Sequence, residues 1–145
     1  MTEKRLRSIM VSMLAPFGAF AVENPVCPGT PDICTSLGWI ELKCPSVAKI
    51  SVRKTQLVWM RDWIKHGGTV WVLSVIRTSW FLHTGQWIVE NEASNANNAD
   101  LFEQNARFRY EGYHTHPNLK KGIISALWHV ACSGPNHQSL VRAFR

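Results

Sequence analysis

The chain has little negative charge. Its 145 residues include 10 Asp and Glu against 16 Lys and Arg, which gives a formal net charge of +6. This balance suits a polyanionic partner such as nucleic acid, and it suits a solvated basic surface equally well. In so acid-poor a chain, two carboxylates placed beside a lysine at metal-binding spacing are conspicuous.

Long apolar runs and closely paired cysteines are also missing. No stretch reaches the ~18 uninterrupted apolar residues of a membrane helix, and none of the four cysteines forms a CxxC pair for zinc. The first 21 residues imitate a signal peptide, but Pro16 and Gly18 interrupt the apolar run. Their spacing favours an amphipathic helix, with its stripe at Leu6, Ile9, Met10 and Met13. We therefore expect one soluble, cytoplasmic α/β domain. Its cysteines should be small, buried residues that stay as free thiols in a reducing compartment.

The segment from Asp32 to Lys43 predicts a β-hairpin. A turn centred between Ser36 and Leu37 places Asp32 opposite Glu41, and the alternation of a strand puts Lys43 on the same face as Glu41. A helix capped by Ser51 and running through His66 should follow, and then a buried central strand at residues 70–76, parallel to the strand of Glu41.

The second half of the chain is harder to interpret. Residues 80–83 and 86–89 flank Thr84-Gly85 and predict a second hairpin at the sheet edge, on which Trp80 and Trp87 could form a dimer surface or stack on bases. Residues 91–98 suggest a polar loop, 101–108 a helix, 110–118 irregular structure and 122–131 a helix. The remaining tryptophans are expected inside the core: Trp39, Trp59, Trp63, Trp71 and Trp128.

Asp32, Glu41 and Lys43 together suggest hydrolytic chemistry. Hard divalent cations prefer oxygen ligands, so the two carboxylates could hold Mg²⁺ or Mn²⁺ with phosphate oxygens, waters and the Leu42 carbonyl. Lys43 could position or deprotonate an attacking water. The alternative is structural, with Asp32 as a turn residue after Pro31 and the other two as an exposed edge pair.

The surroundings of this pattern resemble a known family. The run GTPDI at 29–33, the run WIELK at 39–43, and Gln56, Trp59 and Gly67-Gly68 closely resemble the VRR-NUC branch of the PD-(D/E)xK nucleases. The resemblance implies a restriction-endonuclease-like core, with a mixed central sheet flanked by helices. It also implies a Mg²⁺- or Mn²⁺-dependent endonuclease, selective for branched DNA such as Holliday junctions and often homodimeric.

The same resemblance assigns roles to further residues. It makes Asp32 and Glu41 metal ligands, Lys43 the motif lysine, Glu3 the acidic residue of the first helix and Gln56 a polar catalytic residue. Glu3 is equally explained by the helix dipole, and Gln56 could simply face solvent. We expect residues 1–90 to form the nuclease core and 91–145 a basic extension packed on it. The candidate DNA contacts are Lys49, Arg53, Lys54, Lys120 and Lys121.

Two other functions compete with the nuclease. The segment from Glu111 to Pro117 resembles the zinc motif of JAMM metallopeptidases through His114 and His116, and Ser125 falls where that family has a serine. Trp128 stands where the third zinc ligand would be, so only two protein ligands remain. The second rival is a nucleic-acid-binding protein that keeps the nuclease scaffold without catalysis.

Overall fold

A six-stranded mixed sheet forms the middle layer of the fold. The structure, a computed structural model, describes residues 1–95 and 98–133. The helices are α1 (Glu3–Met13), α2 (Lys54–Lys65), α3 (Gly85–Asn95), α4 (Ala99–Gln104) and α5 (Pro117–Ser133), with a short 3-10 turn at Ala15–Phe17. The strands are β1 (Phe20–Ala21), β2 (Ile33–Thr35), β3 (Gly38–Lys43), β4 (Val70–Ile76), β5 (Ser79–Thr84) and β6 (Phe108–Glu111).

The strands lie in the sheet in the order in which they occur along the chain. All neighbours are antiparallel except β3 and β4, which are parallel and joined through α2. A parallel neighbour needs such a crossover, because a tight turn can only reverse the chain. The predicted central strand is therefore confirmed, and β4 is buried along nearly its whole length.

Each face of the sheet carries its own apolar core. Leu6 of α1 and Ile123 of α5 pack on one face against the odd-numbered residues of β4, which include Leu73. Met60 of α2 and Phe102 of α4 pack on the other face with Val72 and its neighbours. The result is an α/β fold of three layers, with helices on both faces of the sheet.

The hairpin that carries the predicted site has the expected register. Ile33 pairs with Ile40 and Thr35 with Gly38, so the turn is centred between Ser36 and Leu37. The Thr35 hydroxyl accepts a hydrogen bond from the Leu37 N–H and donates one to the Gly38 carbonyl. These two bonds fix the turn, and with it the alignment of residue 32 with residue 41.

The predicted second hairpin is wrong. β5 instead turns back on β4 through Arg77 and Thr78, with Ile76 paired to Ser79. Thr84-Gly85 begins α3: the Thr84 hydroxyl accepts from the Trp87 N–H as a helix cap. A turn signal and a cap signal use the same residue types, and here the cap prevails because the helix packs on β4.

Other boundaries also differ from the sequence prediction. α2 begins at Lys54, not at the predicted Ser51 cap. The side chain that hydrogen-bonds at its start is Gln56, whose Oε1 accepts from the Arg53 N–H. Residues 91–95 continue α3, and Phe108–Glu111 forms the edge strand β6. The helix expected at residues 101–108 is α4, which ends at Gln104, while the helix expected at 122–131 lies within α5.

Several side chains are exposed where burial was expected. Trp63 and Trp128 are 38% and 54% exposed, whereas Trp80, expected at an accessible edge, is fully buried.

Cys27 is exposed and the other three cysteines are half-buried, all as free thiols. None of the helices in the described ranges is long and apolar enough to cross a bilayer.

Candidate active site

Asp32 reaches the site from a loop that is pressed against α2. Gly29 has a left-handed backbone (φ 86°), and a Cβ there would lie 2.1 Å from the Thr55 carbonyl oxygen. Only glycine fits this approach, so the loop delivers Asp32 to the start of β2 in a fixed position. Its Oδ2 accepts from the Leu42 N–H at 2.8 Å, which ties the carboxylate to β3.

Glu41 lies on β3 in a buried polar cluster with two partners. Its side chain is 3% exposed, and its Oε1 lies 2.9 Å from the Lys43 Nζ. The Gln56 side-chain amide, held by α2 over the sheet, donates to the same oxygen. Gln56 is 2% exposed, so it does not face solvent, and its contact is with Glu41.

The carboxylates of Asp32 and Glu41 repel each other. The pKa of Glu41 is raised to about 7, first by burial and second by the negative charge of Asp32, while Lys43 opposes the rise. Glu3, exposed on α1, is near enough to add a smaller repulsion. Near neutral pH the Glu41 carboxyl is therefore only partly ionised.

The structure adds a residue that the sequence did not single out. Arg7 of α1 places its Nη2 3.0 Å from Asp32 Oδ1 and its Nη1 3.4 Å from the Glu23 carboxylate. Glu3 and Arg7 are four residues apart, so they occupy one side of the helix. That spacing was visible in the sequence, but nothing in it showed that this side of α1 faces Asp32.

The donor set fits a hard divalent cation. Mg²⁺ is commonly held by one or two carboxylates, with waters and substrate phosphates completing its shell, and Asp32 and Glu41 supply such a pair. The described residues contain no group of three or more His, Cys, Asp or Glu that could hold a metal by themselves. Leu42 contacts Asp32 through its N–H; whether its carbonyl serves as a ligand stays a prediction.

The five candidate DNA contacts fall into two places. Lys49, Arg53 and Lys54 precede or begin α2, close in the chain to Gln56, whereas Lys120 and Lys121 are exposed on α5. Across residues 1–95 and 98–133, none of the five forms an ion pair with a carboxylate. Their charges therefore remain available to a polyanion.

The histidine segment lies apart from the carboxylates, between α1 and the start of α5. His114 and His116 border an open cavity of about 510 Å³ with Ser8, Ser12 and Lys120. His116 Nδ1 accepts from the Asn118 N–H and so caps α5. No third ligand joins them within the described part of the chain, and this cap accounts for His116 structurally.

Compared with known protein families, curated proteins and solved structures, the chain matches none. The described fold defines a single-domain α/β protein with an open six-stranded mixed sheet and flanking helices. The resemblance to the VRR-NUC nucleases rests on the motif residues alone and stays a prediction.

Proposed function

We propose that the protein is a divalent-metal-dependent endonuclease of the PD-(D/E)xK type, with a restriction-endonuclease-like core, that hydrolyses phosphodiester bonds in branched DNA. The observation that carries this proposal is the buried Glu41 beside Lys43, with the half-buried Asp32 close enough to raise the pKa of Glu41. A carboxyl group with a pKa near 7, next to a second carboxylate and a lysine, is typical of catalytic sites and adds nothing to stability at neutral pH.

Each residue of the site has a role in this proposal. Asp32 and Glu41 would hold Mg²⁺ or Mn²⁺, which when bound polarises a phosphoryl oxygen and lowers the pKa of a coordinated water. Lys43 lies beside Glu41 and can orient the attacking water or stabilise developing negative charge on the phosphate. Gln56 fixes the Glu41 carboxylate and is a positioning residue.

The charge distribution supports DNA as the substrate. The five lysine and arginine side chains predicted to contact DNA have no carboxylate partner within the described part of the chain. Lys49, Arg53 and Lys54 precede or begin the helix that carries Gln56. Phosphate contacts of this kind make affinity fall steeply with salt. Branch selectivity and homodimerisation come from the family resemblance.

The test is a cleavage panel. Four-way junction, flap, single-stranded and linear duplex DNA are incubated with the protein in Mg²⁺, Mn²⁺ or EDTA, using wild type, Asp32→Asn and Glu41→Gln. Asp62→Asn is the matched control, because Asp62 is an exposed carboxylate on α2 whose one ion-pair partner among the described residues is His66.

We expect junction cleavage that needs metal, disappears in both site variants and persists in the control. Unchanged cleavage by either site variant would exclude this mechanism. Equal cutting of every DNA would remove branch selectivity, and salt-sensitive binding without metal-dependent cleavage would identify a non-catalytic DNA-binding protein.

A further inference from the structure

The Arg7 guanidinium occupies the cationic position beside Asp32. Its Nη2 is 3.0 Å from Asp32 Oδ1, and the two side chains are 28% and 18% exposed. The other carboxylate oxygen is already bonded to the Leu42 N–H. In this arrangement Arg7 neutralises the carboxylate that the proposed function assigns to a metal ion.

The Arg7 guanidinium does not use all its hydrogen-bond donors in its contact with Asp32. Its Nε is buried and has no hydrogen-bond partner among the described residues, so the planar guanidinium does not use its full set of donors. A buried unpaired donor makes an arrangement less stable. The second contact of Arg7, to Glu23, is 3.4 Å long and involves a carboxylate that is 86% exposed.

Glu23 is a second ion-pair partner that the Arg7 guanidinium can keep when it moves away from Asp32. Because Glu23 is largely in solvent, its carboxylate can follow a shift of the arginine away from the sheet. A divalent ion bound at the same Asp32 oxygen would be repelled by the guanidinium at that separation, so the two cations compete for the carboxylate.

We propose that Arg7 is an internal counter-ion that competes with the divalent metal for Asp32 and so sets the metal affinity of the site. This inference rests on the proposed function only for the assignment of Asp32 to a metal. Metal binding then requires Arg7 to release Asp32, and Arg7 becomes a positioning residue that keeps the carboxylate in place while no metal is bound.

The test measures Mn²⁺ binding by titration calorimetry in the absence of DNA. Arg7→Met keeps much of the aliphatic stem and removes the charge, and Arg7→Gln is a second neutral variant in case the first folds poorly. Arg5→Met removes a positive charge from an exposed position of the same helix, so it controls for the general field of the protein.

We expect Mn²⁺ to bind the neutral Arg7 variants about tenfold more tightly than wild type, and Arg5→Met within about twofold of wild type. Mn²⁺ should also raise the Tm of Arg7→Met more than that of wild type. Equal or weaker binding by both Arg7 variants overturns the inference, as does an equal gain in Arg5→Met.

The results separate this inference from the nuclease proposal. Tighter binding in the Arg7 variants with no DNA cleavage by wild type supports the counter-ion and refutes the nuclease. Metal-dependent cleavage by wild type with no gain in the variants refutes the counter-ion alone. No Mn²⁺ binding by wild type or by either Arg7 variant refutes both.

Discussion

Replacing Glu41 by Gln should make the metal-free protein gain stability relative to wild type as the pH rises, while abolishing its activity. Glu41 is 3% exposed, and its pKa rises from 4.5 to about 7 through burial and the charge of Asp32. The folded state therefore binds this proton more tightly than the unfolded chain does. Its contribution to stability is complete below pH 4.5 and is lost as pH rises to about 7.

The size of the effect follows from the two pKa values. Each pKa unit corresponds to about 1.4 kcal/mol, so ionising Glu41 costs the folded state about 3 kcal/mol above pH 7. His83 acts in the opposite direction, because burial lowers its pKa from 6.5 to about 4. Its contribution to stability is present above pH 6.5 and lost towards pH 4. The two windows overlap, so the wild-type curve alone will show little slope.

The informative quantity is the difference in the free energy of unfolding between Glu41→Gln and wild type. The contribution of His83 is the same in both proteins and cancels in this difference. The free energy of unfolding is measured by urea denaturation in EDTA between pH 4.5 and 8. The free energy of unfolding of the variant, relative to that of wild type, should increase by about 3 kcal/mol across this range. Loss of the contact with Lys43 would shift this difference by a constant amount at every pH and leave its increase with pH unchanged. Glu90→Gln, on an exposed part of α3, controls for removing one surface charge. A difference that stays constant or shrinks with rising pH would refute the reasoning.

Three further substitutions test how the fold positions the site. Gly29→Ala should lower the free energy of unfolding by about 2 kcal/mol or more in urea denaturation and reduce cleavage, because its Cβ would collide with the Thr55 carbonyl; wild-type stability and activity would contradict the close approach. Arg77→Gly should raise the Tm by an amount equivalent to roughly 0.5–1 kcal/mol, since Arg77 has a left-handed backbone (φ 57°) in the β4–β5 turn; a lower Tm would argue against that turn. Thr84→Ala should cost about 1 kcal/mol in urea denaturation through loss of the α3 cap, and no change would favour the hairpin that the sequence suggested.

The sequence by itself determined the order helix, hairpin, helix and buried strand in the first half of the fold, and the pairing within the site. The turn at Ser36-Leu37 and strict two-residue alternation were enough to align Asp32 with Glu41 and to place Lys43 beside it, because register in a hairpin is a local property. The apolar run of β4 likewise showed a strand buried on both faces.

Only the tertiary structure decided what surrounds those residues. Thr84-Gly85 can start a hairpin or a helix, and packing of α3 on β4 selected the helix; a Cβ on Gly85 would lie 2.4 Å from the Val70 side chain. The proximity of Arg7 to Asp32 joins residues that lie 25 positions apart, and it depends on how α1 packs on the sheet. Charged residues that are distant in the sequence become ion pairs only when the helices pack on the sheet. The composition therefore revealed that carboxylates are scarce, and the packing of α1 determined that Arg7 is the cation beside Asp32.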